Sequence, residues 1–272
     1  MKTNNSMKTK ILWAAPLAAL ALVLASFTLL KPEKKAKKTF VLVHGAWVGK
    51  YAWDKVKPLL EKDGNKVIVF DLPAHGDDQT PLGEATMDNY VKTVSAYINK
   101  EPGKVVLVGH SLAGMVITQV AESIPNKIEK LVYLSAFLPQ NGQFVLGIPD
   151  PNSLFGPNLV LSADKSSATI KPEAIVPIFA SDCSDDIKKM VVERHRTEPL
   201  QPFTAKAAVT EANFGRVPKY YIETLKDVGV STNLQKQMVA ANGHVVKVFT
   251  IDSGHTSFFA KPTELAGILN SL

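Results

Sequence analysis

From Thr39 onward the chain alternates short apolar runs with longer amphipathic stretches. The runs Phe40–Val43, Val67–Phe70, Val105–Val108, Ile128–Leu134, Tyr220–Thr224 and Val245–Ile251 are rich in β-branched or aromatic residues, which predicts strands. Between them, Trp53–Asp63, Met87–Asn99, Leu112–Ile124, Asn233–Ala241 and Thr263–Asn270 carry helical spacing. Strands that are apolar throughout are buried on both faces. Their alternation with helices therefore predicts an α/β architecture, a mainly parallel six-stranded sheet with helices on both sides. In such sheets ligands bind beyond the carboxyl ends of the strands.

One segment breaks the rhythm. Residues 139–217 show no clean strand–helix repeat and contain Pro149, Pro151, Pro157, Pro172, Pro177, Pro199 and Pro202. A stretch of this length is far too long for a plain loop in a compact domain. It is expected to be a cap inserted over the carboxyl edge of the sheet, with one helix at Asp185–Arg196 and an apolar stretch at Ala174–Ala180.

The third run ends in Gly109-His110-Ser111-Leu112-Ala113 and passes directly into a helical stretch. A serine between small residues at a sharp strand-to-helix turn reads as a nucleophile elbow. The turn lifts the hydroxyl above the sheet, and the following helix N-terminus favours developing negative charge. A serine needs a base, and the base an orienting acid. Of the six histidines, His110 lies in the elbow, expected to point away from the nucleophile; His44 ends the first strand and His75 lies in a loop after the second; His195 falls in the insert and His244 in a turn before the last strand. Only His255, in Asp252-Ser253-Gly254-His255, follows the last strand on the edge that carries Ser111.

Chain order then puts the acid after an intervening strand. The run ending at Leu134 leads into Ser135-Ala136-Phe137, with no carboxylate, whereas Tyr220–Thr224 leads into Leu225-Lys226-Asp227. Asp227 is the candidate acid; its competing role is a turn aspartate before Gly229. Two backbone donors would hold the oxyanion: the N–H of Leu112, next to the nucleophile, and the N–H of Ala46, in the loop after the first strand. No metal-ligand cluster or phosphate loop is visible, so no cofactor is expected. Trp47, Trp53 and Phe137 are candidates for an apolar pocket.

The N-terminus is different in kind. Lys2, Lys8 and Lys10 precede an uncharged apolar run, Ile11–Leu30, followed by further lysines. This predicts a signal peptide or N-terminal membrane anchor over residues 1–38, and hence an exported or membrane-anchored protein. The first 38 residues hold eight lysines and one glutamate; the remainder carries 23 basic and 24 acidic side chains, net −1. The basicity belongs to the leader, which removes the argument for a nucleic-acid partner. The single Cys183 allows no intramolecular disulfide.

Phe40-Val41-Leu42-Val43-His44-Gly45-Ala46, Asp71-Leu72-Pro73-Ala74-His75-Gly76, Gly109-His110-Ser111-Leu112-Ala113-Gly114 and Gly254-His255 together resemble the α/β-hydrolase superfamily. Within it the chain is similar to the methylesterase and hydroxynitrile-lyase family, which includes plant methyl salicylate and methyl jasmonate esterases. The resemblance covers Thr39 to Leu272, and Val217–Ser231 looks like the family's acid-bearing strand, which supports Asp227. It implies a six-stranded parallel core with a cap and a serine esterase acting on small esters. Cyanohydrin-cleaving members carry a threonine and a lysine where this chain has Gly45 and Thr256, which argues against a lyase. Ala113 stands where many members have glycine. Plant members mostly lack a leader, so a bacterial envelope protein is the expectation. Amide or lactone hydrolysis, and a binding protein that keeps the triad, are the alternatives.

Overall fold

The computed structural model describes Met1 and residues 37–272; the apolar run 11–30, and with it the expected leader, lies outside the described residues. Six parallel strands, β1 (Thr39–Val43), β2 (Lys66–Val69), β3 (Val105–His110), β4 (Ile128–Leu134), β8 (Lys219–Thr224) and β9 (Val245–Ile251), form one sheet in the order β2-β1-β3-β4-β8-β9. All six expected runs are strands of this sheet. Every residue of β3 and nearly all of β1 is buried, as a strand covered on both faces requires. Helices Met87–Asn99 and Ala113–Ser123 pack on one another, as do Lys57–Lys62 and Pro262–Ser271.

The strand order contains the feature that positions the site. From β1 the chain moves outward to β2, then returns to the other side of β1 as β3 and continues through β4, β8 and β9. The direction of winding therefore reverses between β1 and β3, and the loops leaving these adjacent strands diverge to leave a crevice. Val43 is in register with Gly109, so His44 and His110 leave the sheet side by side.

Two helices differ from the sequence expectation, one at its start and one at its end. Trp53–Asp63 is a short 3-10 turn, Lys50–Trp53, followed by a helix only from Lys57, because Pro58 is tolerated in the first turn and not in a helix interior. The helix expected to reach Arg196 ends at Arg194, where His195 turns extended.

Residues 139–217 hold an element that the sequence did not reveal. Strands β5 (Leu159–Leu161), β6 (Ser167–Ile170) and β7 (Glu198–Pro199) form a small antiparallel sheet in that order. Helices Pro172–Phe179 and Asp185–Arg194 lie between β6 and β7. Polar contacts tie the insert to the core. Asp182 Oδ2 accepts from Gly254 N–H at 2.8 Å, Gln201 Oε1 from Met87 N–H at 2.7 Å, and Val228 O from Leu154 N–H at 2.8 Å. Among the described residues no helix is long and apolar enough to cross a membrane.

Candidate active site

Ser111 sits at φ 54, in the left-handed region that a residue with a side chain enters only when its surroundings impose it. The surroundings here are specific. Ser111 N–H donates to Leu134 O at 3.3 Å, while Ser111 O accepts from Gly114 N–H at 3.0 Å and from Phe137 N–H at 3.1 Å. The turn also needs Gly114, where a Cβ would stand 2.1 Å from Phe137 O. Alanine at 113 is accommodated as the first residue of the helix Ala113–Ser123.

His255 and Asp227 meet at the same edge. His255 Nδ1 lies 2.9 Å from Asp227 Oδ2, and both side chains are shielded from solvent. A carboxylate oxygen only accepts, so Nδ1 carries the hydrogen and Nε2 is the nitrogen left for a substrate or a hydroxyl. Asp227 plays the turn role as well as the partner role, one with each oxygen. Oδ1 accepts from Gly229 N–H at 2.7 Å and Val230 N–H at 3.1 Å. Oδ2 accepts from His255, from Thr224 Oγ1 at 3.0 Å and from Gln235 Nε2 at 3.1 Å.

A further donor to that oxygen is Ser135, the first residue after β4, whose hydroxyl carries no sequence signature of a triad acid. The Ser135 hydroxyl donates to Asp227 Oδ2, and its oxygen lies 3.2 Å from His255 Nδ1. Ser135 is fully buried at φ 46. The signal available was positional: a polar residue directly after an apolar strand, on the edge shared with the other candidates.

The loop after β1 abuts the serine. A Cβ on Gly45 would stand 2.8 Å from His110 Nδ1 and 2.9 Å from Ser111 Cβ, so only glycine lets the loop come this close. Among the described residues neither Ala46 N–H nor Leu112 N–H meets a protein acceptor. His110 is a support for the histidine loop: its Nε2 lies 3.0 Å from His255 O and its ring centroid 4.6 Å from that of His255. Burial, with His255 as neighbour, holds the His110 pKa well below the usual histidine range.

His44 is a tie. Its Nδ1–H donates to Gly45 O at 2.8 Å and its Nε2 accepts from Leu72 N–H at 3.0 Å, which fixes a neutral ring. Burial, reinforced by His75, lowers its pKa to about 3. His195 packs parallel to Trp47 with centroids 6.0 Å apart, and burial lowers its pKa to about 4. His244 is exposed, 3.3 Å from Glu211.

Of the expected pocket aromatics, Trp47 and Phe137 line cavities, while Trp53 is packed into the core. Trp53 is fully buried against Phe258, behind the site. Trp47 packs with Phe155, Phe179 and Phe203 at centroid distances of 5.5–5.7 Å, and Phe179 lies 6.0 Å from His255. A cavity of about 330 Å³ lies along Trp47, Tyr51, His75 and Arg194, and one of about 110 Å³ along Phe137, Phe155 and Gly229. Thr256, next to His255, turns its hydroxyl to Phe179 O at 2.5 Å and offers no cation. Among the described residues no three His, Cys, Asp or Glu side chains are grouped to hold a metal.

A six-stranded parallel sheet with a serine at the β3 turn and an Asp–His pair beyond β8 and β9 is the arrangement of an α/β hydrolase. The chain belongs to the alpha/beta hydrolase family, whose sequence pattern matches residues 40–268. It is 34% identical over 251 residues to a protein named putative methylesterase 11, chloroplastic, of Arabidopsis thaliana, covering 85% of this chain and 62% of that one. It is 29% identical to an alpha-hydroxynitrile lyase of the same plant, covering 87% of this chain and 97% of the other. Among solved structures, polyneuridine aldehyde esterase superposes with a TM-score of 0.76 at 27% identity, covering 87% of this chain and 99% of that one. The chain spans 57–62% of the length of several of its chloroplastic relatives. Several of these relatives carry methylesterase or esterase in their names. The two Arabidopsis thaliana relatives lend no support to the expected bacterial exported origin.

Proposed function

We propose that this protein is a serine hydrolase of small carboxylic esters that works through a Ser111 acyl-enzyme. The observation that carries the reading is the 2.9 Å contact from His255 Nδ1 to Asp227 Oδ2, on the sheet edge where the strained Ser111 turn rises. His255 Nε2 takes the proton as Ser111 Oγ attacks the ester carbonyl, then gives it to the departing alkoxide. Asp227 holds the ring with Nδ1–H inward and stabilises the imidazolium. Water enters next, His255 takes its proton, and the acid is released with Ser111 restored. The N–H groups of Ala46 and Leu112 bind the tetrahedral oxyanion. Each such donor contributes about 3–4 kcal/mol where it has been measured.

The substrate's apolar part fits the aromatic group of Trp47, Phe155, Phe179 and Phe203. Gly45 and Thr256 favour ester cleavage over cyanohydrin cleavage, since Gly45 has no hydroxyl for the substrate and Thr256 no cation for cyanide. Residues 139–217 act as a cap in this reading, and residues 1–38 as an export signal or anchor, supported by the uncharged run Ile11–Leu30 behind three lysines. The test is hydrolysis of p-nitrophenyl butyrate and of a panel of methyl esters by the full chain beside Ser111→Ala. Turnover that vanishes in the variant supports the reading; no turnover by the unaltered chain, or turnover that survives in Ser111→Ala, overturns it.

A further inference from the structure

The segment Asp71-Leu72-Pro73-Ala74-His75-Gly76 has no part in the chemistry above, yet it lies against the loop that supplies the Ala46 N–H. Trp47, the next residue, is held at φ 59, an unfavourable setting for a bulky side chain. Its backbone N–H donates to Glu198 Oε2 at 2.7 Å. Glu198 comes from β7 in the insert, 151 residues away, and is buried. Both its oxygens also lie 2.9 Å from His75 Nε2, and His75 Nδ1–H donates to Pro73 O at 3.0 Å. With both ring nitrogens donating, His75 is an imidazolium paired with a carboxylate. Burial opposes that charge, but the charge of Glu198 and its hydrogen bond outweigh it and raise the His75 pKa.

A buried ion pair is a poor device for stability alone, because desolvation cancels most of its attraction. Its location is more telling. A trans peptide is planar, so fixing a carbonyl fixes the N–H on the far side of the same plane. The Gly45–Ala46 plane, which carries the Ala46 N–H, is held by His44 through Gly45 O at 2.8 Å. The next plane, Ala46–Trp47, is held by Glu198. Ala46 is therefore pinned on both sides, from the core by His44 and from the insert by Glu198.

We propose that Glu198 and His75 are positioning residues for the oxyanion hole, so that the Ala46 amide is aimed only while the insert is seated on the core. This deepens the esterase reading and rests on it. If the insert lifts, Trp47 N–H loses its acceptor, φ 59 relaxes, and the Ala46 N–H swings out of line. The Ala46 N–H meets the oxyanion and not the ground-state ester, so its displacement falls on kcat, while any shift of the Trp47 ring falls on KM; the loss in kcat is the larger of the two.

The test uses the full chain with Glu198→Leu, Glu198→Asp and Glu198→Gln. Each is measured for kcat and KM on p-nitrophenyl butyrate, for affinity toward a trifluoromethyl ketone that forms an oxyanion on the serine, and for Tm. Glu198→Leu removes the acceptor. Glu198→Asp keeps the charge but withdraws the oxygen from Trp47. Both are expected to lose at least about tenfold in kcat and a similar factor in ketone affinity, with a smaller change in KM; full loss of an oxyanion donor costs about 10²–10³. Glu198→Gln can accept from Trp47 N–H and donate to a neutral His75, and is expected to stay within about threefold of the parent. Should Glu198→Leu fail to fold, the contrast of Asp with Gln carries the same information. Parent-like kcat in Glu198→Asp and Glu198→Leu, or losses confined to KM or Tm, overturns the inference while the esterase reading stands. A parent with no Ser111-dependent turnover overturns both.

Discussion

Ser135→Ala removes one donor from an oxygen that has more donors than it needs. Asp227 Oδ2 receives hydrogen bonds from Ser135, Thr224, Gln235 and His255. A hydrogen bond to a charged acceptor contributes about 1.5–3 kcal/mol, and the loss is smaller where other donors close in. Three donors remain here, so the expected cost is about 1–2 kcal/mol, below the full value of one bond. The Cβ is retained, so the backbone at φ 46 is no more strained than before. If the cost fell wholly on transition-state stabilisation, kcat would drop about 5–30-fold. If it fell wholly on the folded state, Tm would drop by about 2–8 °C for a domain of this size. Steady-state hydrolysis of p-nitrophenyl butyrate and a thermal melt on the same preparation divide the two. A variant that matches the parent in both refutes the argument. A loss of kcat beyond about a thousandfold also refutes it, because a positioning hydroxyl cannot contribute what a reacting group does.

Three further outcomes are expected. Asp227→Asn keeps its single oxygen on the Gly229 and Val230 amides and turns its NH₂ toward His255 Nδ1, forcing the wrong tautomer; kcat should fall about 10³–10⁴-fold with a near-normal circular dichroism spectrum. Gly45→Ala drives a methyl into His110 and Ser111, so kcat on the same ester should fall at least about tenfold with residual folding intact by thermal melt. His44, at about 3 in the fold against about 6.5 when unfolded, makes the unfolded chain the better proton binder on acidification. Stability therefore rises with pH between these values, and this group alone should remove about 3 kcal/mol between pH 7.5 and 4.5. Urea melts at the two pH values measure it, and a His44→Gln variant with an unchanged acid slope would contradict the assignment.

The parts of the molecule legible in the sequence are those built by local pattern. β1 and β3 are apolar over Phe40–Val43 and Val105–Val108 because both faces of the central sheet are covered, and the turn at Ser111 announces itself by small neighbours. The contact of Asp227 with His255 follows from chain order, since β8 leads into a carboxylate before the strand that leads to the histidine. What escaped was non-local. Strands β5, β6 and β7 have two to four residues each and exist only by pairing with one another, so no run of side chains marks them. Glu198 meets Trp47 across 151 positions, and a buried glutamate has no local signature. Trp47 and Trp53 lie six positions apart and look equivalent in the sequence. The φ 59 backbone at Trp47 puts it among the insert's aromatics, while Trp53 closes the 3-10 turn into the core.

If Ser111 is the nucleophile, it carries an acyl group during turnover, and that group can be measured directly. The full chain is mixed with p-nitrophenyl acetate, quenched in acid within the first turnovers, digested and read by mass spectrometry. The expected result is a burst of one p-nitrophenolate per active chain and one acetyl group on the peptide that carries Gly109-His110-Ser111-Leu112-Ala113, located on Ser111 and missing from Ser111→Ala. Steady hydrolysis without a burst and without acetyl on that serine, or acetyl on a different residue, would contradict it.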